Sequence, residues 1–61
     1  MNSYLVFDHH SGMWVHPDNE LDPVEPCVYQ TFEMAMAAKW ALLAANDAKH
    51  ADSIEIQIVE D

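Results

Sequence analysis

The sequence predicts an α+β fold: a three-stranded antiparallel sheet, order 2-1-3 in a ββαβ chain, with one long helix packed on one face. Three observations lead there. Thr31–Asn46 has no Pro or Gly and is built almost wholly from good helix formers. Ile54–Glu60 alternates apolar and polar residues, the period of a strand. Ser3–Phe7 and Met13–His16 are short apolar and aromatic runs separated by Asp8-His9-His10-Ser11-Gly12, the pattern of a hairpin around the only Gly in the chain.

Each element follows from its residues. Ser3–Phe7 is apolar on both faces, which suits a central strand. Met13–His16 returns beside it. Pro17–Pro26 carries Pro17, Pro23 and Pro26, which forbid a helix interior or a central strand, so it reads as a loop. Cys27–Gln30 is a short extended piece able to add at an edge. Thr31 is placed to cap the helix, Glu33 suits its positive end, and Asn46 can close it. At about 100° per residue, Ala35, Ala38, Leu42 and Ala45 share the core side, flanked by Phe32 and Leu43 on one edge and Met34 on the other. Glu33, Trp40 and Asp47 fall in a line on the opposite, wet side. Asp47–Ser53 is a polar connection. In the last strand Ile54, Ile56 and Ile58 point to the core, and Glu55, Gln57 and Val59 point away.

At 61 residues there is room for a single domain, 1–61, with one small core. A lone Cys27 makes no internal disulfide, which fits a reducing setting, and reads as a small buried residue. No signal-peptide pattern and no apolar run of ~20 residues is visible, so a soluble, cytoplasmic protein is expected, as monomer or homodimer.

Charge is the strongest compositional signal. Eleven acidic residues face two Lys and no Arg, for a net charge of −9. Direct nucleic-acid binding is thereby disfavoured, since phosphates require Lys and Arg. A hydrophobic fraction of 51% with regular patterning argues against disorder despite the charge. His9, His10 and His16 lie near Asp8, but their spacing matches no established zinc site. There is no Gly-rich phosphate loop, Ser-His-Asp set or CxxC pair, so no enzyme, cofactor or metal is expected. What remains is negative charge without cations to quench it. Alternate residues of a strand lie ~6.7 Å apart, twice the rise per residue. DNA phosphates recur every ~3.4 Å along a strand. Carboxylates on a rigid scaffold can therefore imitate a phosphate backbone and enter a basic groove. The candidate partner-binding residues are Asp18, Glu20, Asp22 and Glu25 in the loop, Glu33, Trp40 and Asp47 on the helix line, and Glu55, Glu60 and Asp61 at the last strand. The alternative is a small interaction module, antitoxin-like or regulatory, using a hydrophobic patch around Trp40.

In its Tyr4-Leu5-Val6-Phe7 start, acidic Pro-rich loop, Thr31-Phe32-Glu33 helix start and Ile54–Ile58 strand, the chain resembles the small acidic anti-CRISPR proteins of phages, in particular a type I-C inhibitor. The resemblance implies a protein that binds the type I-C Cascade surveillance complex in the host bacterial cell. The expected target is the large subunit that reads the PAM, and the expected consequence is that target DNA is blocked. It rests on no catalytic motif and transfers no residue role.

Overall fold

The computed structural model describes residues 1–45 and 51–60, the side chain of Ala51 excepted. The elements are β1 (Asn2–Asp8), β2 (Met13–Val15), β3 (Leu21–Asp22), α1 (Phe32–Ala45) and β4 (Ile54–Glu60), with 3-10 turns at Pro17–Asn19 and Ala51–Ser53. The sheet is antiparallel in order β3-β2-β1-β4. The expected hairpin, central first strand and returning last strand are all present. The fourth strand, β3, is two residues long and falls inside the stretch read as a loop.

β1 is central for the reason its composition suggests. Its full length pairs with β4, from Asn2↔Glu60 to Asp8↔Ile54. On its other edge it pairs with β2 through Phe7↔Trp14 and Asp8↔Met13. Farther back, the extended piece around Tyr29 adds one bridge: the Tyr4 N–H donates to the Tyr29 carbonyl at 2.9 Å, and the Tyr29 N–H to the Tyr4 carbonyl at 2.8 Å. The hairpin turns through Gly12, whose φ of 73° is costly for any side chain with a Cβ.

The helix starts as its residues dictate. The Thr31 hydroxyl accepts the Met34 N–H at 3.1 Å, satisfying one orphan donor of the first turn. Asn46, expected to close the helix, lies outside the described residues. The core is one cluster of Val6, Val15, Tyr29, Ala35, Leu42, Leu43 and Ile54, with Tyr4, Cys27, Ala38 and Ile56 packed against it. Cys27 is half-buried, in keeping with a small packing residue. Two expectations are corrected. Leu43, read as a flank, is buried, whereas Ala45, read as core, is exposed. The helix has turned to bury the larger side chain, since an inward Leu gains ~1.5–3 kcal/mol and an Ala far less. Ile58, expected in the core, is 59% exposed. The helix rests over β1 and the Pro17–Asn19 turn and touches β4 less than either.

Tyr29 ties the layers together. It is 5% exposed, and its hydroxyl donates to the Val15 carbonyl at 3.0 Å. Burial, with the Cys27 thiol beside it, pushes the phenol from its ordinary 10.0 up to about 12. Folding thus favours the neutral phenol. This contribution is intact below pH 10 and is lost as pH rises through about 12. Urea midpoints measured from pH 8 upward are expected to fall along that limb. Tyr29→Phe should lose about 1 kcal/mol at neutral pH, the usual net worth of one hydrogen bond, and show a shallower alkaline decline. An unchanged alkaline limb in Tyr29→Phe would mean that another group causes it.

No helix among the described residues is long and apolar enough to cross a membrane.

Candidate partner-binding surface

The acidic loop is a built element. Pro17 opens a single 3-10 turn, which suits its fixed φ and missing N–H. Asp18 and Asn19 both sit at φ 62°, a left-handed conformation that Asp and Asn tolerate best among residues with a Cβ. The turn closes when the His16 N–H donates to the Glu20 carbonyl at 2.7 Å. β3 then pairs with β2, Trp14 against Asp22 and Val15 against Leu21. The Asp22 carboxylate reverses the chain again: its Oδ1 accepts the N–H groups of Val24 at 2.8 Å and Glu25 at 2.9 Å. These bonds, Glu25 first and then Val24, hold the Asp22 carboxyl below its ordinary pKa. His16 Nε2 donates to the Glu25 carbonyl at 2.6 Å, fastening the far end of the loop. Asp18, Glu20 and Glu25 are left exposed on a frame fixed by its own backbone bonds. Asp22 is half-buried and engaged, so its first role is to shape the loop.

A second group lies across the sheet. Glu55 and Glu60 are exposed on β4, at the opposite edge from β3. Glu55 meets His9 Nε2 at 2.8 Å. That bond, followed by one from Gln57, lowers its pKa. Glu33 is exposed at the first turn of the helix, and Trp40 is 55% exposed. Asp47 and Asp61 lie outside the described residues. The structure therefore assembles Asp18, Glu20, Asp22 and Glu25 at one edge and separates Glu55 and Glu60 from them.

The register links the two edges in a way the sequence did not disclose. Asp22 pairs with Trp14, Trp14 with Phe7, and Phe7 with Glu55. These residues point to the face away from α1. Carboxylates thus end a row whose centre is two aromatics, packed edge to face with centroids 4.8 Å apart. His9 adds a third ring against Phe7, also at 4.8 Å. Three strand spacings place the two ends of the row roughly 14 Å apart. Phe7 and Trp14 were legible as strand residues, but only the pairing reveals that they share a face.

Asp8 is the other residue whose role emerges from the structure. It is 8% exposed. Its Oδ1 accepts the His10 N–H at 2.9 Å and the Ser53 hydroxyl at 3.5 Å, and its Oδ2 accepts the Ser11 hydroxyl at 3.0 Å. It organises the hairpin turn and joins it to the start of β4. The Asp-x-x-Ser spacing was the available signal for such a turn.

Among the described residues no group of three His, Cys, Asp or Glu is placed to hold a metal. His9 and His16 are directed to different partners, Glu55 and the Glu25 carbonyl. A cleft of about 250 Å³, lined by residues including Asp8, Leu21, Leu42 and Leu43, is smaller than the usual ligand pocket. The chain matches no family model, no curated protein and no solved structure.

Proposed function

We propose that this protein is a non-enzymatic inhibitor that acts as an acidic DNA mimic, filling a basic groove on a protein that handles nucleic acid. The observation that carries the reading is charge without compensation. Asp18, Glu20, Glu25, Glu33, Asp52, Glu55 and Glu60 are exposed, and the single ion pair among the described residues is between Glu55 and a histidine. Carboxylates so placed are free to meet Lys and Arg of a partner. The separation of the two acidic edges, roughly 14 Å by strand spacing, is comparable to the ~12 Å width of the DNA major groove. Loop and sheet hold the charges in advance, so little ordering entropy is spent on binding.

The partner class follows from the resemblance to type I-C anti-CRISPR proteins. It is the Cascade complex, engaged at the large subunit that reads the PAM, in the cytoplasm of the host bacterium. The test is capture of purified type I-C Cascade by the immobilised chain, with target DNA as competitor. Capture is expected to fall as DNA is added and to weaken steeply with salt, as screening requires. Undiminished capture of DNA-loaded Cascade would overturn the mimic. A second reading is favoured by one observation, the 55% exposure of Trp40 on the helix side away from the core. In that reading a hydrophobic anchor dominates and binding is insensitive to salt.

A further inference from the structure

We infer that β4 is a self-pairing edge, and that two copies of this chain join through it antiparallel, about a two-fold axis at Gln57, into one continuous eight-stranded sheet. The inference is independent of the proposed function.

The backbone directions lead to it. β4 is the last strand of the sheet and, among the described residues, pairs only with β1. The N–H and carbonyl of Tyr4 both turn to Tyr29, away from β4. Directions alternate along an antiparallel strand, so Ser3, Leu5 and Phe7 are the residues of β1 that bond to β4. The His9 N–H, which donates to the Ser53 carbonyl at 2.7 Å, continues the same alternation. Their register partners Val59, Gln57 and Glu55 therefore face inward. The N–H and carbonyl groups of Ile54, Ile56, Ile58 and Glu60 face outward.

Such an edge is usually guarded by charged side chains, above all Lys, by Pro or by a bulge, and β4 carries two charges, Glu55 and Glu60. Ile54–Glu60 contains neither Pro nor Lys, and every residue of it is register-paired with β1 without a break. Its side chains are adhesive at one end: Ile58 is 59% and Val59 40% exposed.

The register decides the occupant. Antiparallel pairing about Gln57 sets Ile54 opposite the partner's Glu60 and Ile56 opposite the partner's Ile58. Outward-facing groups then meet outward-facing groups along the whole strand, for up to about eight hydrogen bonds. On the other face Glu55 lies opposite the partner's Val59, and no carboxylate opposes a carboxylate. In-register parallel pairing would instead stack Glu55 on Glu55 and Glu60 on Glu60, which is repulsive. The strand thus sets no like charges directly opposite and is complementary to itself in hydrogen bonding and apolar contact. Two bodies each of charge −9 repel at long range. Association is therefore expected to strengthen with salt, the opposite sign to binding a basic groove.

The test is sedimentation of the native chain at ~0.01 M and ~1 M NaCl, where the Debye length falls from ~30 Å to ~3 Å. A dimer favoured by salt is expected. Ile58→Pro removes an outward N–H that has no partner among the described residues of the monomer, and Pro is tolerated on such an edge. A two-fold dimer loses that bond twice, so Ile58→Pro should weaken association roughly thirtyfold while keeping the far-ultraviolet circular dichroism of the native chain. The axis is tested separately. In Gln57→Cys on a Cys27→Ser background, the two thiols form a non-hydrogen-bonded pair with Cα atoms ~4.5 Å apart, within disulfide reach. It should cross-link on mild oxidation much faster than Val24→Cys on the same background. A monomer at every salt concentration overturns the inference and leaves β4 open to a foreign strand. A dimer indifferent to Ile58→Pro, or cross-linking no faster at Gln57 than at Val24, overturns it equally.

Discussion

Leu43→Ala is expected to unfold most of the protein at 37 °C. Leu43 is 2% exposed and is the largest of the fully buried side chains. Truncating such a leucine costs ~2–5 kcal/mol, the transfer term plus the cavity it leaves. A 61-residue domain has a stability margin of only roughly 3–9 kcal/mol at typical values per residue. Within those described residues there is no disulfide to limit the loss. The dense negative charge lowers the margin further by self-repulsion. For a domain this small each kcal/mol moves Tm by ~4–8 °C, so a fall of more than ~10 °C is expected in a thermal melt. Ala44, next in sequence but exposed, is the control: Ala44→Ser should stay within about 0.5 kcal/mol of the native chain. Equal effects at the two positions would show that the helix does not pack through Leu43.

Charge reversal in the loop is expected to have the largest effect on binding. The residues to change are Glu20 and Glu25, both exposed and without side-chain partners among the described residues. Asp22 is the wrong choice despite its sequence position. Asp22→Lys would remove the acceptor of two backbone N–H groups and confound binding with loss of the turn. Close charge pairs at electrostatically complementary interfaces are worth ~1.5–7 kcal/mol each. Glu20→Lys with Glu25→Lys should therefore weaken the proposed Cascade binding by at least ~100-fold, read by surface plasmon resonance. Reducing the net charge also relieves repulsion, so the melt should not fall. If instead the double variant binds normally and Trp40→Ala does not, the interface is the hydrophobic patch on the helix.

The loop illustrates why part of the candidate surface was legible and part was not. Pro17, Pro23 and Pro26 announce an irregular segment rich in carboxylates, and that reading holds except for the two-residue β3. They do not announce that Asp18 and Asn19 take left-handed φ, or that Asp22 is spent on its own backbone. Those outcomes depend on the strand pairing of Trp14 with Asp22, a contact between residues eight apart. Glu55 and Glu60 read from the sequence as a further acidic patch, with the face it shares left open. The strand order places them at the edge opposite β3.

The sequence alone determined the helix, the three longer strands and their order, since helix propensity, alternation and turn residues act over a few neighbours. It also determined that negative charge would lie on the surface, because unpaired carboxylates cannot be buried without large cost. Tertiary structure decided which way each face turned. The helix rotated to bury Leu43 in place of Ala45, and Ile58 stayed exposed. Sheet order set the loop's carboxylates at one edge, sent Glu55 and Glu60 to the other and aligned Phe7 with Trp14 between them. These are non-local packing choices, set by which large side chains compete for one small core, and no local pattern in the chain encodes them.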